Sequence, residues 1–265
     1  MSVQPQNRSV LLLPHKGEEQ ATDASTEQVT PIAAPSRPLL YDLLRPIRLD
    51  PRLLCENRIV TLDRNHPASA SFDVLRTKLL RLARENAWTT IGVTAPEPQS
   101  GTTTVTLNLA LSLSHQTDLR TLLLDLNLRN PGVARMLGDV QTATFADFLG
   151  GEGQLGGAVV NYGETLAIAA AAEPVQSAAE VLQARATAKR LDEIRLALEP
   201  DLVIVDAPPV LQRDDFEATL ALYDAVLLVA DTTRTLLADL DRCERELSKH
   251  TNVIGVVVNR CQFAR

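Results

Sequence analysis

Short apolar runs without internal alternation recur along the second half of the chain. They lie at 90–94, 120–125, 165–169, 202–206, 225–230 and 254–259. A parallel strand covered by helices on both faces is apolar on both sides, so these runs predict buried parallel strands. Amphipathic stretches separate them or precede them, and they predict helices over 69–86, 103–116, 177–199 and 235–249. The alternation predicts an α/β fold with a doubly wound, mostly parallel sheet flanked by helices.

The chain divides into three segments by composition. Residues 1–38 are rich in Gln, Glu, Ser, Thr and Pro, and such a segment buries too little apolar surface to offset its ordering entropy. It is therefore interpreted as a disordered tail or linker. Residues 39–69 carry leucines at irregular spacings, which suggests a docking segment or linker, and residues 70–265 form the predicted α/β domain.

The loop "APEPQSGTTT" follows the first predicted strand and leads into a helix. In open parallel sheets, ligands bind beyond the carboxyl ends of the strands, where this loop lies. A phosphate-binding loop follows the pattern G-x-x-x-x-G-K-[ST]. Gly101 and Thr103 match it, and the helix N-terminus favours an anion. Pro96 replaces the first glycine and Thr102 replaces the lysine, so the pattern alone is not met.

Two aspartates complete the candidate site. Asp125 and Asp206 each follow an apolar strand directly, so both are expected at the sheet edge that carries the loop. One strand-end aspartate is more often a cap or turn residue. Two of them in this order, together with the Thr103 hydroxyl, provide the oxygen ligands that Mg²⁺ prefers. The sequence therefore predicts a nucleotide site with magnesium held at Thr103, Asp125 and Asp206.

Several ordered motifs resemble one family. They are "PQSGTTT" at 98–104 followed by "NLA", "DLNLRNP" at 125–131, and "DAPPVL" at 206–211. From about residue 71 to 260 the chain resembles bacterial tyrosine kinases of capsule and exopolysaccharide biosynthesis, and more remotely the partitioning and septum-positioning ATPases. The resemblance implies a P-loop NTPase-like fold of the deviant Walker A class, with ATP or ADP and Mg²⁺ as cofactors.

The resemblance also assigns roles to residues. It implies Asp125 and Asp206 as the catalytic carboxylates, and it places the nucleotide phosphates on the loop residues Gly101, Thr102, Thr103 and Thr104. Asn259, at the end of the last strand, is either a contact to the adenine edge or a turn cap.

Four departures from the family bear on activity. Thr102 has no charge to place on the β- and γ-phosphates, Gln99 stands at a glycine position of the loop, and Asn127 replaces the second aspartate of D-x-D. The chain ends "NRCQFAR" without the family's C-terminal tyrosine cluster. Because phosphoryl transfer depends on positioning and charge stabilisation, losing the lysine is expected to slow it strongly.

The family's oligomerisation pattern E-x-x-R-x-x-R is also eroded. Its positions hold Ala70, Asp73 and Arg76, so one arginine survives. Self-association through the helix over 70–82 is left open.

These observations lead to three alternative hypotheses for the function. The preferred one is a degenerate kinase-like protein that binds the cytosolic segment of an inner-membrane polysaccharide co-polymerase and tunes chain length or export. The second is a working autokinase or ATPase whose cation comes from Arg129 or from a partner. The third is a partitioning or positioning ATPase, which Glu97 at its extra lysine position and the lack of a basic C-terminal helix argue against.

Charge and composition limit the partners. A net charge of −7 argues against nucleic acid, no apolar run reaches the roughly 18 residues of a membrane span, and the three cysteines form no metal-binding spacing. A cytoplasmic protein is expected, peripheral at the inner face of the plasma membrane if the co-polymerase is its partner.

Overall fold

A computed structural model of the protein describes residues 9–14, 40–138, 140 and 145–261. Within these residues, the strands are β1 (Ser9–Pro14), β2 (Arg45–Pro46), β3 (Thr90–Thr94), β4 (Thr121–Asp125), β5 (Val160–Tyr162), β6 (Leu166–Ala169), β7 (Leu202–Asp206), β8 (Ala225–Asp231) and β9 (Asn252–Cys261). The helices are α1 (Leu40–Leu43), α2 (Pro51–Glu56), α3 (Ser69–Asn86), α4 (Thr102–Leu113), α5 (Val133–Leu137), α6 (Phe145–Leu149), α7 (Leu155–Ala158), α8 (Ala178–Gln183), α9 (Arg185–Leu198), α10 (Arg213–Leu220) and α11 (Leu237–Leu247).

The strands form one sheet in the order β1-β9-β8-β3-β7-β4-β6-β5-β2. Its central part from β9 to β6 is parallel, while β1 runs antiparallel to β9 and β5 antiparallel to β6. The predicted α/β fold with a mostly parallel sheet is confirmed. The strand β3, which precedes the loop, lies between β8 and β7, so the loop has strand ends on both sides.

Both faces of the sheet are covered. Successive residues of β4 alternate between two hydrophobic clusters, with Leu123 in one and Leu122 and Leu124 in the other. Every position of β4 is buried, because side chains of neighbouring residues point to opposite faces and each face packs under helices. This double burial is why the strands appear in the sequence as continuous apolar runs.

The predicted helix over 177–199 is wrong at one position. Ala184 has extended backbone angles (φ −65°, ψ 141°) and separates α8 from α9. Alanine favours helices, so no local signal marks this break. The helix α10 and the short strand β5 were not predicted either.

The first two segments differ from their predicted character. Ser9–Pro14 form the edge strand β1 rather than a disordered tail, and the rest of 1–38 lies outside the described residues. Within 39–69, the described residues Tyr41, Leu44 and Leu54 are buried in the same core as the sheet. This segment is therefore part of the α/β body.

One buried side chain fixes that segment to helix α4. Asn108 of α4 accepts hydrogen bonds from the backbone N–H groups of Val60 (2.7 Å) and Thr61 (3.2 Å). Its amide nitrogen donates to the carbonyl oxygens of Arg58 (3.0 Å) and Thr104 (2.8 Å).

In the described parts of the chain, no helix is both long and apolar enough to cross a membrane.

Candidate functional site

The loop between β3 and α4 contains two residues with left-handed backbone angles. Gln99 and Gly101 adopt left-handed angles, with φ of 64° and 88°. Only glycine adopts such angles without a steric cost, so Gln99, at the family's glycine position, is a strained position. The Ser100 hydroxyl donates to the Glu97 carbonyl at 2.9 Å and closes the turn.

Asn259 of β9, the second strand from β3 in the sheet, holds the loop. Its amide nitrogen donates to the Ser100 carbonyl at 3.0 Å, and its side-chain oxygen accepts from the Arg260 backbone at 2.9 Å. A Cβ added at Gly101 would lie 2.1 Å from that amide nitrogen, so Gly101 is needed for this approach. Asn259 therefore lies at the loop, and its contact to an adenine edge stays a prediction.

The threonine hydroxyl and one aspartate are in direct contact. Thr103 lies in the first turn of α4, and its hydroxyl donates to Oδ2 of Asp206 at 2.6 Å. The Thr106 hydroxyl, one turn later, lies 3.3 Å from Oδ1 of the same carboxylate. Because the proton of the Thr103 hydroxyl is used by Asp206, the oxygen lone pairs remain available for a cation.

Asp125 is the register partner of Asp206 across β4 and β7. Its carboxylate accepts three backbone hydrogen bonds, from Asn127 at 3.2 Å and from Gly132 and Val133 at 3.0 Å each. Asp125 thus orders the loop that follows β4 while its carboxylate stays beside Asp206.

Burial places an electrostatic cost on this pair. Desolvation raises the pKa of Asp125 to about 6, although its backbone hydrogen bonds act in the opposite direction. Desolvation and the neighbouring charge of Asp125 raise the pKa of Asp206 well above its ordinary value, against the hydrogen bonds of Thr103 and Thr106. Two adjacent buried carboxylates need a proton or a cation between them.

These groups fit a magnesium ion that is held together with phosphates. The described residues contain no cluster of three or more His, Cys, Asp or Glu side chains that would bind a metal by themselves. Protein-bound Mg²⁺ usually has one or two carboxylates and completes its shell with water and substrate phosphates. Thr103, Asp125 and Asp206 match that smaller donor set.

Thr102 and Thr104 make hydrogen bonds through their backbone carbonyls. The carbonyl of Thr102 accepts from the Thr106 hydroxyl at 2.9 Å, and the carbonyl of Thr104 accepts from Asn108. Thr102 has no ionisable group, so the first turn of α4 offers backbone N–H groups and the helix dipole to a phosphate but no fixed cation.

Arg129 is bound elsewhere. Its Nε donates to Oδ2 of Asp215 at 2.6 Å and its Nη2 to Oδ1 at 2.8 Å, while Nη1 donates to the carbonyl of Gln176 at 3.3 Å. Asp215 is buried, so this bidentate pair joins the loop after β4 to α10. Arg129 would have to leave Asp215 without a charge partner to reach a phosphate.

Arg76, the surviving arginine of the oligomerisation pattern, also has internal partners. Its Nη1 donates to the carbonyl and hydroxyl oxygens of Ser112 at 3.0 and 2.9 Å, and to Asp73 at 2.8 Å. It joins α3 to the end of α4.

Gly132 is a site residue that the sequence analysis did not single out. A Cβ there would lie 2.7 Å from the Thr103 hydroxyl oxygen and 2.8 Å from its methyl carbon. Its backbone N–H also binds Asp125, so it makes close contact with two of the predicted metal ligands. The Pro131-Gly132 dipeptide at the end of the motif "DLNLRNP" was the available signal.

No protein-family model matches the chain, and no curated protein matches it. Solved structures do. The chimeric protein CapA2B2 matches with a TM-score of 0.70 at 20% identity, over 83% of this chain and 94% of that one. The kinase domain of the Escherichia coli tyrosine kinase ETK matches with a TM-score of 0.69 at 21% identity, over 83% and 89%.

A more remote match is the septum site-determining protein MinD of Pyrococcus horikoshii, solved with Mg-ADP. Its TM-score is 0.52 at 22% identity, over 63% of this chain and 68% of MinD. The chain therefore has the fold of CapA2B2, of the ETK tyrosine kinase domain and, more distantly, of MinD. The predicted resemblance to bacterial tyrosine kinases is confirmed at the level of the fold.

Proposed function

We propose that the protein binds Mg-ATP or Mg-ADP as a kinase-like regulator and that it transfers phosphoryl groups poorly or not at all. The observation that supports this is the hydrogen bond from Thr103 to Asp206, beside the buried Asp125. Thr103 directly follows the loop in which Gln99 and Gly101 have left-handed backbone angles. The oxygen groups proposed as magnesium ligands are present, while the loop position of the lysine holds Thr102.

In this proposal, the residues have separate roles. The loop from Glu97 to Thr104 binds phosphate oxygens through backbone N–H groups, and Thr103, Asp125 and Asp206 hold Mg²⁺. The ion, when bound, neutralises phosphate charge. Removing one hydrogen-bond donor that stabilises the charge of a transition state typically lowers the rate by roughly a hundred- to a thousandfold. Nucleotide binding without efficient turnover is therefore expected.

The fold and the sequence motifs together support a biological role, which is part of the same proposal. We place the protein in exopolysaccharide or capsule biosynthesis, at the cytosolic face of the inner membrane. There it would bind the cytosolic segment of a polysaccharide co-polymerase and regulate polymer length or export. Nucleotide binding at the loop would order the neighbouring loops and so change the affinity for that partner.

An active tyrosine autokinase is the second candidate, because tyrosine kinase domains share the fold. The pairing of Arg129 with Asp215 weighs against it, since the guanidinium that the sequence suggested as the substitute cation is already in an ion pair. The case for self-association through the helix over 70–82 is also weaker, because Arg76 is hydrogen-bonded to Ser112 within the same chain.

Calorimetric titration of the full chain with Mg-ADP and Mg-ATP tests the proposal. We expect binding that needs Mg²⁺ and is lost in Asp206→Ala, no phosphotyrosine after incubation with ATP, and capture of the co-polymerase segment that changes with nucleotide. Absence of nucleotide binding in the folded wild-type protein would refute the proposed site. Tyrosine phosphorylation that disappears in Asp206→Ala would favour the autokinase.

A further inference from the structure

A basic side chain approaches the loop from the β8 side. Nη1 of Arg234 donates to Oε1 of Gln99 at 3.2 Å. Both residues are exposed at the rim of the loop, and 135 positions separate them in the sequence. Because β8 is the neighbour of β3 in the sheet, the turn after β8 and the phosphate loop lie side by side.

The turn that carries Arg234 is held firmly. The backbone N–H groups of Arg234 and Thr235 donate to the Asp231 carbonyl at 3.0 and 2.8 Å. Oδ1 of Asp231 accepts from the backbone and the hydroxyl of Thr233 at 2.9 and 2.7 Å, and Oδ2 pairs with Arg260 of β9. The backbone of Arg234 is therefore fixed, while its side chain is exposed and donates to the neutral Gln99 amide.

The charge of Arg234 is available for a ligand. Its contact to Gln99 is with a neutral acceptor, and the ion pairs within the described part of the chain use Arg129 and Arg260 near the site but not Arg234. A guanidinium has several N–H donors in a planar fork that suits phosphate oxygens. Exchanging a neutral amide for a phosphate would strengthen its hydrogen bonds.

The site needs such a charge. Two buried carboxylates lie at its centre, the ligand adds several negative charges, and Thr102 adds no positive one. We propose that Arg234 binds the phosphate chain of a nucleoside di- or triphosphate by moving from Gln99 onto it, which adds affinity from the exposed rim of the loop but does not replace the lysine at the transferring phosphoryl group. The inference rests on the proposed nucleotide site and makes Arg234 a binding residue, approaching from the side of the loop opposite to Asp125.

A charge series at one position tests this. Mg-ATP affinity is measured by titration for the wild-type protein, Arg234→Gln, Arg234→Lys and the control Arg245→Ala. Arg245 is an exposed arginine of α11 whose Nε donates to a carbonyl of its own helix. Loss of a charge-assisted hydrogen bond should weaken binding about tenfold or more in Arg234→Gln. Arg234→Lys should keep most of the affinity, and Arg245→Ala should match the wild type.

Salt dependence gives a second measurement. Affinity of the wild type should fall more steeply with ionic strength than that of Arg234→Gln, because one charge contact is absent in the variant. Wild-type affinity and salt dependence retained in Arg234→Gln would overturn this inference and leave the proposed function standing. No binding by the wild type would overturn both. Equal weakening in Arg234→Gln and Arg234→Lys would assign Arg234 to the loop's structure and not to ligand charge.

Discussion

Asp206 is needed for the proposed magnesium site, but its buried charge lowers the stability of the folded protein. Its carboxylate is fully buried next to Asp125, and both pKa values are raised. A carboxylate whose pKa is higher in the folded than in the unfolded state destabilises the fold as pH rises between the two values. For Asp125 that interval runs from 3.8 to about 6, so the charged pair opposes folding at neutral pH.

Asp206→Asn should therefore stabilise the protein without ligand at pH 8. The amide keeps an oxygen for one threonine hydroxyl and removes the charge. We expect a higher melting temperature than the wild type at pH 8, by roughly 2–4 °C per kcal/mol gained, and a smaller difference at pH 4. The same variant should lose stabilisation by Mg-ATP. If the wild type and Asp206→Asn had equal melting temperatures from pH 4 to pH 8, this would contradict the raised pKa values.

Gly132 is required by sterics rather than by its backbone angles. Gly132→Ala should press on Thr103, cost about 1–3 kcal/mol as overpacking does, and abolish Mg-dependent nucleotide binding. Gly156→Ala is the matched control, because nothing lies within 4 Å of a Cβ there. Chemical denaturation and calorimetry of both variants measure the two effects. Normal nucleotide binding by Gly132→Ala would mean that Thr103 is not a ligand.

At the scale of elements, the hydrophobic pattern located the central strands within a residue or two but did not locate the break between α8 and α9. The strands are recognisable because both of their faces are buried. Each strand is therefore a continuous apolar run, which can be seen in the local sequence. Ala184 leaves the helix although it favours one, so packing around it determines the break, and packing involves residues distant in sequence. Arg76 is a similar case, since its motif suggested a subunit interface and its contacts join α3 to α4.

Arg76→Ala should reduce the free energy of unfolding by about 1.5–3 kcal/mol, as expected for hydrogen bonds to a charged group. Arg81→Ala is the control, because Arg81 makes an exposed pair with Glu85 one turn along the same helix, and such pairs contribute at most about 0.5 kcal/mol. Denaturant titration and sedimentation velocity should be run together. A change of assembly state without a loss of stability would restore the oligomerisation role.

At the scale of the whole molecule, the sequence predicted which strand ends carry the site, because in a parallel sheet the carboxyl ends share an edge. It did not predict contacts that depend on strand order. Gln99 meets Arg234 because β8 was placed beside β3, and Gly132 meets Thr103 because β4 and β3 are both neighbours of β7. The missing lysine was visible in the sequence, whereas the arginine beside the loop required the fold.

We propose above all that a site with magnesium ligands but without a loop lysine binds ATP and scarcely cleaves it. Phosphate release under saturating Mg-ATP, measured for the wild type, Asp206→Ala and Thr102→Lys, tests it most directly. We predict that the wild type stays at the level of Asp206→Ala and that Thr102→Lys rises above both. Wild-type release well above that of Asp206→Ala would contradict the claim.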